Sequence, residues 1–221
     1  MYKYEESEID RLEASLASGA PLDALFTEFP GNPLLQSPDL ERLRQLSLRY
    51  KFVFVVDDTI GSFANVSVLP MCDVVCTSLT KMFSGACNVM GGSVVLNPSS
   101  QFHRPLASAL DSRCQHIDWF PDDAILMNRN GETFVERTRR ASHSAAAVAE
   151  QLRASPGVVG VYYPKGSPTQ HLYDKCKLPE GGYGFMLSVR FTAPTRAAAF
   201  YNALWMAKGP SLGTNFSLAC K

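Results

Sequence analysis

Three short segments of this 221-residue sequence carry side chains suited to covalent chemistry. Asp57 follows Phe52-Val53-Phe54-Val55-Val56, an unbroken apolar run. Ligands in open α/β sheets gather beyond the carboxyl ends of strands, where this carboxylate would stand. The plainer alternative is that Asp57 and Asp58 only begin a loop or cap the next helix. Ser78-Leu79-Thr80-Lys81 follows a second apolar run. Hydroxyls at i and i+2 with a lysine next to them could hold a phosphate and set an amine beside it. A lysine becomes a nucleophile toward carbonyls when burial or neighbouring cations lower its pKa. A Ser/Thr turn carrying a solvated lysine is the alternative. No glycines stand at the offset a nucleotide-binding P-loop needs. Asn32, within Pro30-Gly31-Asn32-Pro33, sits in a dense turn signal that could also hold its amide rigidly against a ligand.

The elements that must position these residues can be read from apolar periodicity. Residues 7–18 carry Ile9, Leu12 and Leu16 at helical spacing, and Gly19-Ala20-Pro21 ends that helix. LDALFTEFP is a short apolar stretch stopped by the turn around Asn32. LERLRQLSLRY then reads as an amphipathic helix, with Ser37 or Asp39 as its cap and Pro38 near its first turn. FVFVV lacks alternation and so predicts a strand buried on both faces, as in a parallel sheet. CDVVCTSL and GGSVVLN predict two more strands, and the succession argues an α/β layer with parallel character. Residues 122–154 read as helix interrupted at Asn130-Gly131, with SAAAVAEQL a strong helix former. VVGVYY, a helical HLYDKC, the strand GFMLSVRF and the helix RAAAFYNALWMA suggest a second, α+β unit. The expected boundary lies near residue 125, separating 1–125 from 126–221.

Composition excludes some functions. Lys+Arg and Asp+Glu are equal at 21 each, so no basic groove is implied and nucleic acid is not an expected partner. No window approaches the 18 consecutive apolar residues of a membrane span. The start, MYKYEESEIDRLEAS, is acidic rather than signal-peptide-like, so the expected compartment is the cytoplasm. Six cysteines and the histidines His103, His116, His143 and His171 are dispersed, so no metal site is expected.

Taken together, Asn32, Asp57 and Lys81 in PGNP, VVDDT and SLTK resemble the fold-type I pyridoxal-phosphate (PLP) enzymes of cysteine and methionine metabolism, the cystathionine γ-synthase / γ-lyase family. The string from LFTEFPGNPLLQSPDL to GGSVVLNP looks like its fungal branch. NRNGETFVERTRRASHSAAAVAEQL, GGYGFMLSVRF and AKGPSLGTNFSLAC continue the likeness through the family's small domain. The resemblance implies an α/β, fold-type I PLP-transferase-like fold, with part of the large domain (1–125) and an incomplete small domain (126–221). It implies pyridoxal 5'-phosphate as cofactor and Lys81 as the Schiff-base lysine. It gives Asp57 to the pyridine nitrogen, Ser78 and Thr80 to the phosphate, and Asn32 to the ring hydroxyl oxygen. Thr59 would lie near the ring face, and Ser211 beside the lysine and the substrate.

The implied reaction is γ-substitution: a γ-substituent such as an acyl ester leaves an amino-acid substrate, and a thiol or other nucleophile adds at Cγ. The same residues would serve a γ-lyase, and a catalytically inactive family member is the third reading. The resemblance also implies homo-oligomers, dimeric or tetrameric. It begins in the middle of the family's large domain. Upstream would stand a glycine-containing phosphate turn and a ring-stacking tyrosine, and downstream of Ser211 an arginine for the substrate carboxylate. Arg190 and Arg196 precede that segment and do not match it.

Overall fold

A computed structural model describes residues 6–114 and 119–221; His116 lies outside the described residues. The chain opens with α1 (Glu6–Ala17), β1 (Ala24–Glu28), α2 (Leu40–Tyr50) and β2 (Val53–Asp57). Asp39, not Ser37, caps α2: its carboxylate accepts the Arg42 N–H at 3.0 Å. Leu40, Leu43 and Leu46 form the buried stripe of α2, and Lys51 in the left-handed region ends it. The stretch around Leu25 is a strand, paired in parallel with β2 from Ala24↔Val53 to Glu28↔Asp57.

β3 (Val74–Ser78) and β4 (Gly92–Leu96) complete a four-stranded sheet in the order β1-β2-β3-β4. β2 and β3 are parallel, whereas β4 runs antiparallel to β3. The parallel character expected of the layer therefore stops at β3. The chain leaving β3 folds as a turn at the sheet edge instead of crossing a face, and an antiparallel return needs no crossover helix. Phe54, Val55 and Val56 are all buried, which is why the run shows no alternation. α3 (His103–Arg113), α4 (Pro121–Gly131) and α5 (Phe134–Arg153) follow, with the helix break falling between Gly131 and Phe134. β5 (Val158–Tyr162) pairs antiparallel with β6 (Ser188–Phe191), and α6 (Gln170–Cys176) lies between them in sequence. Tyr173 of α6 stacks on Phe29, just past β1, with ring centroids 5.6 Å apart. α7 (Pro194–Ala203) precedes a small parallel pair, β7 (Ala207–Lys208) and β8 (Leu218–Ala219).

Two buried carboxylates fix β2 against β3. At the entry to β3, Asp73 is fully buried and accepts the Phe54 N–H at 2.8 Å, the Arg44 guanidinium at 2.6 Å and the Ser100 hydroxyl at 2.6 Å. One side chain thus ties α2, β2 and the segment after β4 together. At the exit from β2, buried Asp58 accepts the Thr77 hydroxyl, and its N–H donates to the Cys76 carbonyl at 3.1 Å. Burial pushes the Asp58 carboxyl up from 3.8 to about 6; the Thr77 hydrogen bond opposes the shift and the charge of Asp57 adds to it.

Removing Asp73 strands a half-buried guanidinium and a buried N–H. Asp73→Ala is expected to lower unfolding free energy by about 3–5 kcal/mol, read from urea midpoints, and Asp73→Asn by less. For Asp58, the folded chain keeps a proton that the unfolded chain has released between the two pKa values. Its contribution is therefore fully present below pH 3.8 and lost as pH climbs through about 6. Relative to Asp58→Asn, the wild type should lose up to about 3 kcal/mol over that window, and a constant difference between the two would contradict the assignment.

Candidate active site

Because β1, β2 and β3 are parallel, their carboxyl ends share one edge of the sheet, with Glu28 opposite Asp57 and Asp57 opposite Cys76. The three segments singled out in the sequence each leave one of these ends. The Asn32 turn follows β1, the Asp57 turn ends β2, and the Lys81 turn follows β3. Buried Phe29 anchors the first turn, and the Asn32 N–H donates to the Glu28 carboxylate at 2.8 Å, leaving the Asn32 side-chain amide exposed.

Asp57 is exposed at the strand end. One of its oxygens accepts the Thr59 N–H at 2.8 Å, which orients the carboxylate and leaves the other oxygen to accept from a ligand. The Thr59 hydroxyl oxygen in turn accepts the Ser78 N–H at 2.8 Å. Thr59 therefore bridges the ends of β2 and β3 rather than standing free. The Ser78 hydroxyl is half-buried, and its backbone position is fixed by this bridge.

Lys81 lies in a π turn, Leu79–Ser84, and its φ of −79° and ψ of −127° break the helical path. Such single π turns recur at functional sites because they re-aim one side chain. Two other segments hold the turn. The Thr80 hydroxyl accepts the Gly91 N–H at 3.0 Å and donates to the Gly91 carbonyl at 3.2 Å. The Gly85 N–H donates to the Lys81 carbonyl at 2.6 Å, and the Gly85 carbonyl accepts the Asn215 N–H at 2.8 Å. Gly213, with φ +71°, presses so close that a Cβ there would stand 2.8 Å from Lys81 Cβ. This segment also carries Ser211, whose Oγ lies 3.5 Å from Lys81 Nζ. Lys81, Ser211, Thr80, Asn88 and Asp123 line a cleft of about 480 Å³.

The arrangement supplies a carboxylate with one open oxygen, a primary amine facing a cleft, and a serine hydroxyl at the adjoining strand end. That donor set fits pyridoxal phosphate: a carboxylate for the ring nitrogen, an amine for the aldehyde, a hydroxyl for the phosphate. The Thr80 hydroxyl, held against the Gly91 peptide, stands at the same turn. Gly91 and Gly213 escaped the sequence reading, since only the three-dimensional approach of their backbones to the lysine turn marks them. Asp58 escaped as a site residue because its neighbour offered the more obvious carboxylate. Among the described residues no group of His, Cys, Asp and Glu could hold a metal ion, and no helix is long and apolar enough to cross a membrane.

Residues 2–220 match the family model of Cys/Met metabolism PLP-dependent enzymes. The chain is 49% identical over 213 residues to a cystathionine gamma-synthase of Neurospora crassa, covering 96% of this chain and 34% of that protein. The structure of cystathionine gamma synthase from Xanthomonas oryzae pv. oryzae, in complex with aminoacrylate and cysteine, superposes with a TM-score of 0.81 at 30% identity, over 95% of this chain and 54% of that one. Apo CalE6, a methionine gamma lyase from Micromonospora echinospora, also gives a TM-score of 0.81, at 27% identity, over 95% of this chain and 56% of its own. The chain thus spans from about one third to just over half the length of these relatives. With a carboxylate and a lysine on the shared edge of a parallel sheet and a family match over nearly its whole length, the chain belongs to the Cys/Met metabolism PLP-dependent enzymes, is cystathionine γ-synthase-like, and has the fold-type I architecture.

Proposed function

We propose that this chain carries the lysine-bearing part of a γ-substituting transferase acting on an O-acyl-homoserine-type amino acid, with a thiol as nucleophile. The observation that carries this reading is the Lys81 amine facing Ser211 Oγ at 3.5 Å inside the cleft, on the turn that leaves the strand next to the one ending at Asp57. Residues 1–125 would be the cofactor-binding portion and 126–221 the smaller domain. Pyridoxal phosphate, when bound, supplies an electron sink for negative charge developing at the substrate α-carbon. Asp57 would keep the ring nitrogen protonated, Ser78 and Thr80 would donate to the phosphate, and the Asn32 amide would hold the ring hydroxyl oxygen. Thr59, through its bond to the Ser78 N–H, keeps these two strand ends at a fixed spacing and would lie near the ring face.

Lys81 has two tasks. Its amine would hold the cofactor aldehyde and, when free, would take the substrate α-proton and return it further along the substrate chain. Ser211 accepts a hydrogen bond from Nζ and so limits the arc through which the amine swings. A γ-lyase is the second reading, supported by the likeness to CalE6, because the same lysine and carboxylate would serve release of an α-keto acid. Cytoplasmic residence and assembly into dimers or tetramers complete the proposal, and the near-complete exposure of Trp205 and Met90 is in keeping with a contact surface.

Borohydride treatment after incubation with pyridoxal phosphate should fix the cofactor on the peptide containing Lys81 and on no other. Lys81→Ala should abolish that adduct and depress turnover by at least about 10²–10⁴-fold. No adduct, or an adduct elsewhere, would refute the assignment and favour an inactive family member. Supplying an O-acyl-homoserine with and without cysteine separates the two active readings: thioether formation marks the transferase, and α-keto acid without thioether marks the lyase.

A further inference from the structure

Arg137, in the first turn of α5, sends both Nη groups of its guanidinium to the segment around Lys81. Nη1 donates to the Met82 carbonyl at 2.9 Å and approaches the Met82 sulfur at 3.9 Å. Nη2 donates to the Phe83 carbonyl at 2.7 Å and to the Asn130 carbonyl at 2.9 Å, and Nε to the Thr133 hydroxyl at 3.1 Å. All five N–H groups of an arginine thus have acceptors, and none is a carboxylate. No ion pair among the described residues involves Arg137. Burial, with Arg140 nearby, lowers its affinity for the proton, and the cation is held there by neutral acceptors, chiefly carbonyl dipoles.

The packing around this contact is equally tight. A Cβ on Gly85 would stand 2.6 Å from Arg137 Nη1, and a Cβ on Gly131 would stand 2.6 Å from the Phe83 ring. Phe83 and Phe134 pack with ring centroids 5.2 Å apart, pressing α5 onto the turn. The carbonyls of residues 82 and 83 point away from the helical ladder because the turn is irregular at Lys81, and a planar fork with two divergent Nη groups reaches both. A lysine ammonium is a point donor and cannot reproduce the fork.

We propose that Arg137 is a positioning residue for Lys81: it fixes the two peptides after the lysine so that the amine is presented to the cleft and to Ser211. The proposal rests on the function assigned to Lys81 above and extends it to a residue 56 positions away in sequence. Charged hydrogen bonds are stronger than neutral ones, so losing even one of the pair should loosen the turn roughly tenfold or more.

The test is hydrogen exchange of the cofactor-free full chain in Arg137→Lys and Arg137→Ala, followed by mass spectrometry. Amides of residues 79–85 should exchange roughly tenfold faster in both variants while those of β2 stay unchanged. The rate at which pyridoxal phosphate labels Lys81 should fall by a similar factor, and added guanidinium ion at millimolar level should restore it in Arg137→Ala only. Should Arg137→Ala fail to fold, Arg137→Lys decides alone. Unchanged exchange over 79–85, or a lysine variant indistinguishable from wild type, overturns the proposal. A wild type that never labels at Lys81 overturns the cofactor role instead, and the exchange result still decides whether Arg137 holds the turn.

Discussion

The parallel pairing of β2 with β3 is the constraint on which the rest of the molecule depends. Parallel strands end on the same side, so one register decision brings the Asp57 turn and the Lys81 turn to a common edge. Each end of the pair has its own lock. Asp73 gathers a guanidinium, a peptide N–H and a hydroxyl at the entry to β3, and Asp58 with Thr77 closes the exit of β2. A slip of one residue would part Asp73 from the Phe54 N–H and Asp58 from Thr77, so the register is determined twice over.

On this frame the reactive side chain is aimed by an irregular turn rather than by a regular element. Regular helix would carry Lys81 along a fixed spiral, whereas the break at its ψ frees its direction. Irregular backbone needs outside support, because its peptide groups lack their usual partners. The support comes from the Gly91 peptide, from Asn215 and from α5, and two of these contacts exist only because Gly85 and Gly213 have no side chain. Thr80 belongs with this support: its hydroxyl is part of what makes the turn.

Much of the molecule was legible in the sequence, and the rest failed for definable reasons. The unbroken FVFVV run announced a strand covered on both faces, and the Leu40, Leu43, Leu46 stripe announced α2, since burial leaves a periodic trace. The spacing of the Asn32, Asp57 and Lys81 segments pointed to one edge of an α/β sheet and to the family. The short strand around Leu25 was read only as an apolar stretch, because five residues are too few to fix a period. The antiparallel direction of β4 left no trace, as strand polarity is set by the path of the connection. Asp73 looked like an ordinary residue at the head of CDVVCTSL, and its three partners come from three separate elements. The commitment of the Thr80 hydroxyl to Gly91 was equally hidden, since a hydroxyl's partner is a matter of distance in space.

The contact between Lys81 and Ser211 spans 130 residues of chain, and the Gly85–Asn215 contact a comparable length. Contacts of that reach need a long loop to close, and the lost chain entropy is repaid only after most of the intervening structure has packed. The sheet and α2, built from nearer neighbours, can therefore exist before the lysine has an address. The surroundings of the lysine therefore form after the sheet, so a chain deprived of residues 211–215 would hold a folded sheet and a lysine without the contact that limits its swing.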